Sequence, residues 1–274
     1  MGAVSRTSDG PVVQLPITSG SPGEMLDSLA WWLSYHGATV IRQSTVGKQY
    51  VMEAAIDGDP LLLDMSDYPA VQYLGARPYW KKVWITAHSH MPQVRPIPPL
   101  TKQMWSLYHE RKSFQWRRGD KIVVAFQIPS SDYVVAQRRI AVMDVLAKEY
   151  SGRIETVVSQ GRGLWQAAQE CLCVVHVGGS YAGILDHVSI ECLSMGVPLI
   201  TDLIYSRPAG MQLHPYEHYI PACGGPEGFA SAVDYCLSNL SKLGDIGRNG
   251  SMWYDQAVGP VAYERLLSQD VLLW

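Results

Sequence analysis

The chain has 274 residues, 47% of them hydrophobic and 17% charged, with a formal net charge of −3. That composition supports a globular core, the length fits one or two domains, and the small negative charge excludes a general pull toward polyanions. No apolar run approaches the roughly 18 residues that a membrane span needs. The first residues carry Ser, Thr and Gly but no apolar signal core, and read as a disordered lead-in or cloning remnant.

Val12 to Ile17 reads as a strand, followed by Thr18-Ser-Gly-Ser-Pro-Gly23. Met25, Leu26, Leu29, Trp32 and Leu33 then recur at helical spacing, and Gly37 stops that helix. Thr39 to Arg42 is a second strand, which completes one strand–helix–strand unit. Leu61 to Asp64 and Val83 to Thr86 are further strand candidates. Three prolines within Arg95 to Leu100 cannot continue a helix or a central strand. The segment after them is polar and basic. The domain junction is therefore expected there, with residues 1–100 as a small first domain, 101–120 as linker and 121–274 as a second domain.

A second series starts with a strand from Lys121 to Ile128 and a helix from Ser131 to Tyr150 with Val135, Ile140, Val142, Met143, Val145 and Leu146 as core candidates. Ile154 to Val158, Cys171 to Val177 and Pro198 to Thr201 read as strands. Leu164 to Glu170, His187 to Met195, Pro226 to Leu240 and Val258 to Leu273 read as helices, the last expected to pack back on the first domain. This alternation predicts an α/β chain of two Rossmann-like domains, each with a parallel sheet. The five cysteines, an odd number mostly in apolar segments, read as reduced buried thiols of a cytoplasmic protein. Cys171 and Cys173 fall in a buried strand and lack a second ligand pair at zinc spacing.

The densest chemistry lies in Val174 to Asp202, VVHVGGSYAGILDHVSIECLSMGVPLITD. Small residues at Gly178, Gly179 and Gly183 let a backbone approach phosphates. The following helix points its N-terminal N–H groups and positive dipole at them, and Glu191 within it can accept both hydroxyls of a ribose. Asp186 is also a good helix N-cap and His187 an ordinary first-turn residue. Arg138, Arg139 and Arg162 are candidate diphosphate partners. Asp64 and Asp67 follow one strand, and His88 and His90 another, where either pair could serve as general base. Asp57-Gly58-Asp59 fits a metal-holding Asp-x-Asp, but Asp-Gly between strand candidates reads as a hairpin turn. Lys102, Arg111, Lys112, Arg117 and Arg118 interleave with Trp105, Tyr108, Phe114 and Trp116. That pattern suits a nucleic acid, cations on phosphates and aromatics on bases, and equally a solvated face over a core.

Ile190-Glu-Cys-Leu-Ser-Met-Gly-Val-Pro-Leu-Ile200 resembles the donor-binding motif of GT-B glycosyltransferases, Leu-Glu-Ala-Met-Ala-x-Gly-x-Pro-Val-Ile. Gly161 to Glu170 resembles the stretch before it, and Ile17 to Val40 the family's opening glycine loop and helix. The pieces match in order along about two thirds of the chain. The resemblance implies two domains with a cleft between them and no obligatory metal or other cofactor. It implies a nucleotide-sugar donor, a UDP-sugar foremost, with Glu191 on the ribose and Gly178, Gly179 and Gly183 at the diphosphate or sugar. Arg162, His187, Ser19 and Gly20 complete the expected donor set. Many retaining members carry a glutamate eight residues before the motif glutamate; here that position is Gly183, so Asp186 and His187 are expected to take over. The catalytic candidates are thus Asp64, Asp67, His88 and Asp186. The small size and aromatic content also resemble bacteriophage enzymes that glycosylate hydroxymethylated DNA bases. That implies a duplex DNA acceptor at Trp116, Arg117 and Arg118 and a site of action in the host cytoplasm. A glycan or lipid acceptor, a nucleotide-sugar epimerase and a non-catalytic binding module stand as alternatives.

Overall fold

The computed structural model describes residues 12–17, 26, 27, 30, 34, 39–43, 51–64, 79–81, 94–96, 110, 113–129, 132–157, 162–179, 183–207 and 211–259. The chain divides into two compact units, one within Met1–Ser106 and the other within Leu107–Arg207 and Met211–Ala262, with short segments exchanged.

The first unit holds a six-stranded sheet in the order β2-β1-β3-β4-β5-β6. Its strands are β1 (Val12–Pro16), β2 (Thr39–Gln43), β3 (Val51–Ile56), β4 (Asp59–Asp64), β5 (Tyr79–Lys81) and β6 (Val94–Pro96). β1 and β2 pair in parallel, as the strand–helix–strand reading requires. Leu26, Asp27, Ala30 and Ser34 of the helix between them are helical. The expected all-parallel sheet is corrected here: β3 runs antiparallel to both β1 and β4. For β3 and β4 the cause is the two-residue turn at Asp57-Gly58, where both residues have positive φ (52° and 91°) and Ile56 pairs with Asp59. Asp-Gly tolerates that conformation, and its twist suits a hairpin. Asp57 also ties the turn to β1, accepting from Val12 N–H at 2.7 Å through its side chain. The turn reading of Asp57-Gly-Asp59 therefore holds. Pro96 ends β6, an edge strand, where a missing N–H costs no ladder bond. The strand candidate Val83 to Thr86 lies outside the described residues.

The second unit is a five-stranded, wholly parallel sheet in the order β11-β10-β9-β7-β8. Its strands are β7 (Arg117–Val124), β8 (Ile154–Thr156), β9 (Glu170–Val175), β10 (Leu199–Asp202) and β11 (Ile220–Ala222). The helices are α1 (Tyr133–Tyr150), α2 (Arg162–Ala168), α3 (His187–Met195), α4 (Pro226–Ser238) and α5 (Leu243–Ala257). β7 begins four residues before the expected Lys121, so the segment read as linker ends inside this sheet. Ile122, Val124, Cys173, Val175, Ile200 and Ile220 form the sheet's part of one core, packed by Val142 and Leu146 of α1 and Phe229, Val233 and Cys236 of α4. Ile140, expected in that core, is instead exposed. Cys171, Cys173, Cys192 and Cys236 are buried free thiols, and Cys223 is exposed. No helix among the described residues is long and apolar enough to cross a membrane.

α5 falls in a stretch to which no element is assigned from the sequence, and it carries Gly244, Gly247 and Gly250, residues that weaken a helix. The contacts explain them. A Cβ on Gly247 would sit 2.1 Å from the carbonyl oxygen of Gly196, which caps the C-terminus of α3 in the left-handed conformation. One on Gly250 would meet the carbonyl oxygen of His218 at 2.7 Å and Leu193 at 2.9 Å. The glycines let α5 press backbone against α3. The other expected helix, Val258 to Leu273, lies outside the described residues from 260 onward.

Gly247→Ala should therefore lower stability despite the better helix propensity of alanine. Overpacking against a backbone carbonyl costs about 2 kcal/mol, more than the roughly 1 kcal/mol that propensity returns. Thermal unfolding should show a lower midpoint for the variant. An unchanged or raised midpoint would remove the close contact from the account.

Candidate functional site

The strand order of the second unit reverses direction between β7 and β9. In parallel α/β sheets, the crevice beyond the carboxyl ends of the strands at such a reversal is the usual ligand position. Here the chain leaving β9 runs through His176, Val177, Gly178 and Gly179, and α3 starts at His187 after its cap Asp186.

His176 is buried at the end of β9. Its Nδ1 lies 2.6 Å from the carbonyl oxygen of Ala125, just past β7, and its Nε2 lies 2.5 Å from Oδ2 of Asp186. Asp186 is the N-cap of α3, its Oδ1 accepting the Ser189 N–H at 3.0 Å. Burial alone would raise the Asp186 carboxyl. The His176 charge and the hydrogen bonds from His176 and Ser189 outweigh it and hold the group at about 2. One carboxylate thus ties the helix start to the ends of two strands.

Two arginines one position apart on α1 serve the same edge. Arg139 donates to the carbonyl oxygen of Val177 from Nε (3.2 Å) and one terminal nitrogen (2.9 Å), and to that of Gln127 from the other. Its guanidinium lies 5.6 Å from the Phe126 ring centroid, and burial lowers its pKa. Arg139 therefore spans the reversal point, joining the chain past β7 to the chain past β9. Arg138 forms an ion pair with Asp202 at the end of β10. The other Asp202 oxygen accepts the Gly178 N–H at 3.0 Å.

The glycines differ in what surrounds them. A Cβ on Gly179 would meet nothing within 4 Å, so its backbone faces open space. Gly178 has the Asp202 carboxylate 3.1 Å from its Cβ position. Gly183 has φ +82°, and a Cβ there would lie 2.3 Å from the Tyr205 ring. Its carbonyl accepts the Tyr205 and Ser206 N–H groups at 2.9 and 3.3 Å. Gly183 is thus needed to let Tyr205 pack on the loop. Glu191 is 4% exposed in the middle of α3, among residues that are buried from Val188 to Met195.

So Gly178, Gly179 and the α3 cap Asp186 lie at one end of the sheet with Arg138 and Arg139 bonded to the same segments, while His187 and Glu191 follow within α3. The structure does not bring Arg162 there through its side-chain bonds, which run to Glu110 at 3.1 and 3.3 Å. The expected acceptor residues lie at the opposite end. Arg117 and Arg118 pair with Glu170 and Cys171 at the start of β9. At about 3.3 Å per residue along a strand this is roughly 20 Å from the glycine loop. Trp116 packs on the sheet core and donates its indole N–H to the Cys171 carbonyl at 3.0 Å, and Arg117 faces Glu170 at 3.7 Å. The stretch read as an aromatic and cationic binding surface is, at Trp116, part of the fold. Asp64 ends β4 in register with Lys81 of β5 in the first unit. Asp67, His88, Ser19 and Gly20 lie outside the described residues.

Two functional groups escaped the sequence reading. His176 sits inside an apolar run that reads only as a buried strand, and Asp202 ends a strand with nothing local to single it out. The available signal was positional: polar residues at the carboxyl ends of β9 and β10 in a parallel sheet.

No protein-family model and no curated protein matches the chain. Solved structures overlap parts of it. HepE of Anabaena in complex with UDP matches over 57% of this chain and 50% of its own, at 12% identity and a TM-score of 0.41. WaaG, a glycosyltransferase involved in lipopolysaccharide biosynthesis, matches over 70% and 62%, at 10% identity and a TM-score of 0.38. A glycosyltransferase from Rickettsia africae matches over 95% and 76%, at 11% identity and a TM-score of 0.42. The chain spans about half the length of HepE and of the sucrose-phosphate synthase from Thermosynechococcus elongatus that it also matches. Overlaps this loose assign neither a family nor an activity.

The Asp186 geometry predicts a pH dependence of stability. Its carboxyl is held at about 2 in the folded chain against an ordinary 3.8, so its contribution is full above 3.8 and fades as pH falls toward 2. Asp186→Asn keeps the cap oxygen and loses the charge. The urea midpoints of wild type and variant should differ most near pH 6 and converge as pH drops through that window. A gap that stays constant down to pH 2 would show that the charge contributes nothing.

Proposed function

We propose that the second unit binds a nucleotide-diphosphate sugar, UDP-sugar foremost, and that the chain transfers its hexose or similar sugar to an acceptor hydroxyl. The observation that carries the reading is Glu191. Its carboxylate is 4% exposed in the middle of α3, and a buried charge is kept only where it is paired or hydrogen-bonded. It lies one turn inside a helix that starts at the ligand edge of a parallel sheet, in the motif that resembles the GT-B donor stretch. From there it is proposed to accept the two ribose hydroxyls.

The diphosphate is proposed to lie over Gly179, whose backbone is open to approach. One part of the motif's usual logic changes. The N-terminus of α3 is expected to offer free N–H groups and a positive end to an anion, but the Asp186 carboxylate already occupies it. On this reading the donor's charge falls to Arg138 and Arg139 and to loop amides, and a divalent metal is not required. The leaving diphosphate gains charge as the glycosidic bond breaks, and fixed cations at that point lower the barrier.

Duplex DNA is not proposed as the acceptor. The indole of Trp116 is engaged by the fold, and Arg117 and Arg118 stand at the end of the sheet away from Gly179. A glycan, lipid or small-molecule hydroxyl is the better fit.

Glu191→Gln keeps the volume and burial of the side chain and removes its charge. UDP affinity measured by calorimetry should fall by about 2 kcal/mol, roughly thirtyfold, because charge-assisted bonds to two hydroxyls are lost. Equal affinity in a folded variant would take Glu191 out of the site.

A further inference from the structure

Both ring nitrogens of His176 face groups that only accept hydrogen bonds. The carbonyl oxygen of Ala125, 2.6 Å from Nδ1, cannot donate, so Nδ1 carries a proton. An ionised Asp186 carboxylate, 2.5 Å from Nε2, cannot donate either, so Nε2 carries a second. We propose that His176 is a positioning residue held as an imidazolium, and that its Nε2 proton fixes Asp186 at the head of α3 and, through it, the glycine loop of the donor site.

The geometry gives this ring more reach than its size suggests. It lies at the end of β9, bonds the chain past β7, and bonds the cap of α3. Those three elements frame the crevice at the reversal of strand order. The ring is 3% exposed, so water cannot replace either bond without moving the chain. The charged and titratable groups around the pair come from three other directions. On α1, Arg138 and Arg139 stand near Asp132, and Arg139 interacts with Asp186. Asp202 closes the side toward β10. Within α3 the carboxylate of Glu191 and the thiol of Cys192 share the buried face, Cys192 feeling Asp186.

Loss of the Nε2 proton would set a lone pair against a carboxylate oxygen at 2.5 Å. That contact is repulsive. Either the ring turns and gives up Ala125, or Asp186 leaves the cap and α3 loses its Ser189 bond. Both outcomes shift the segment that carries Gly178 and Gly179. The donor site is therefore competent with the Nε2 proton in place on Asp186. The donor half of this inference rests on the function proposed above; the imidazolium half does not.

The experiment uses the full chain labelled with 15N in its histidines, with the His176 signals assigned by their loss in His176→Gln. At pH 7 the His176 ring should show two protonated nitrogens with imidazolium shifts. In Asp186→Asn the amide N–H donates to Nε2, so His176 should become neutral with its proton on Nδ1. UDP affinity at pH 7 should fall at least tenfold in His176→Leu, which fills the site but has no proton to donate to Asp186. A neutral His176 in the wild type at pH 7 would overturn the proposal. So would unchanged UDP affinity in a folded His176→Leu chain. If UDP fails to bind the wild type, the donor reading and the positioning role fall together, and the ring spectra alone decide the protonation state.

Discussion

The second unit is organised around one buried contact, the imidazole of His176 against the carboxylate of Asp186. A parallel sheet leaves its strand ends as bare carbonyls and amides, and a helix start leaves unpaired N–H groups. Here a single pair of side chains serves both: the ring closes the carbonyl past β7, and the carboxylate closes the first turn of α3. Arg139 does the same for Val177 and Gln127, and Asp202 for Gly178. The carboxyl edge of the sheet is therefore set by charged side chains, which leaves an approach at Gly179 rather than a uniform surface.

Electrostatics along this edge balance in pairs. Arg138 faces Asp202 and His176 faces Asp186, while the hydrogen bonds given for Arg139 run to the carbonyls of Val177 and Gln127. A dianionic diphosphate arriving here would meet a pre-filled helix N-terminus and two adjacent guanidinium groups. Its binding would thus depend on cations from α1 more than on the dipole of α3. The second constraint is packing. α3 is fixed on its far side by the backbone contact with α5 at Gly196 and Gly247, so a shift at its cap cannot be absorbed by sliding the helix.

Parts of both units were legible in the sequence, for identifiable reasons. α3 announced itself through an Asp cap at one end and Gly196 followed by Pro198 at the other, and its bounds match the structure. The hairpin at Asp57-Gly58 followed from turn chemistry. What was not legible depended on distant partners. The antiparallel placement of β3 against β1 is set by a contact more than forty residues apart. The helix α5 is hidden because its glycines are explained only by the backbone of another helix. Trp116 and Arg117 looked like a binding surface because cations and aromatics alternate there. The same alternation arises where a strand begins at the rim of a core. His176 was invisible because its role lies in what faces it, not in its neighbours along the chain.

The central claim is that the carboxyl edge between β7 and β9 holds a nucleotide diphosphate. The most direct measurement is a crystal structure of the protein grown with UDP in the presence of EDTA. The account predicts ribose hydroxyls on Glu191, the diphosphate beside Gly179 and Arg138 or Arg139, and the His176–Asp186 contact intact. A nucleotide bound elsewhere in the chain, or bound here only when a divalent cation is restored, would contradict it.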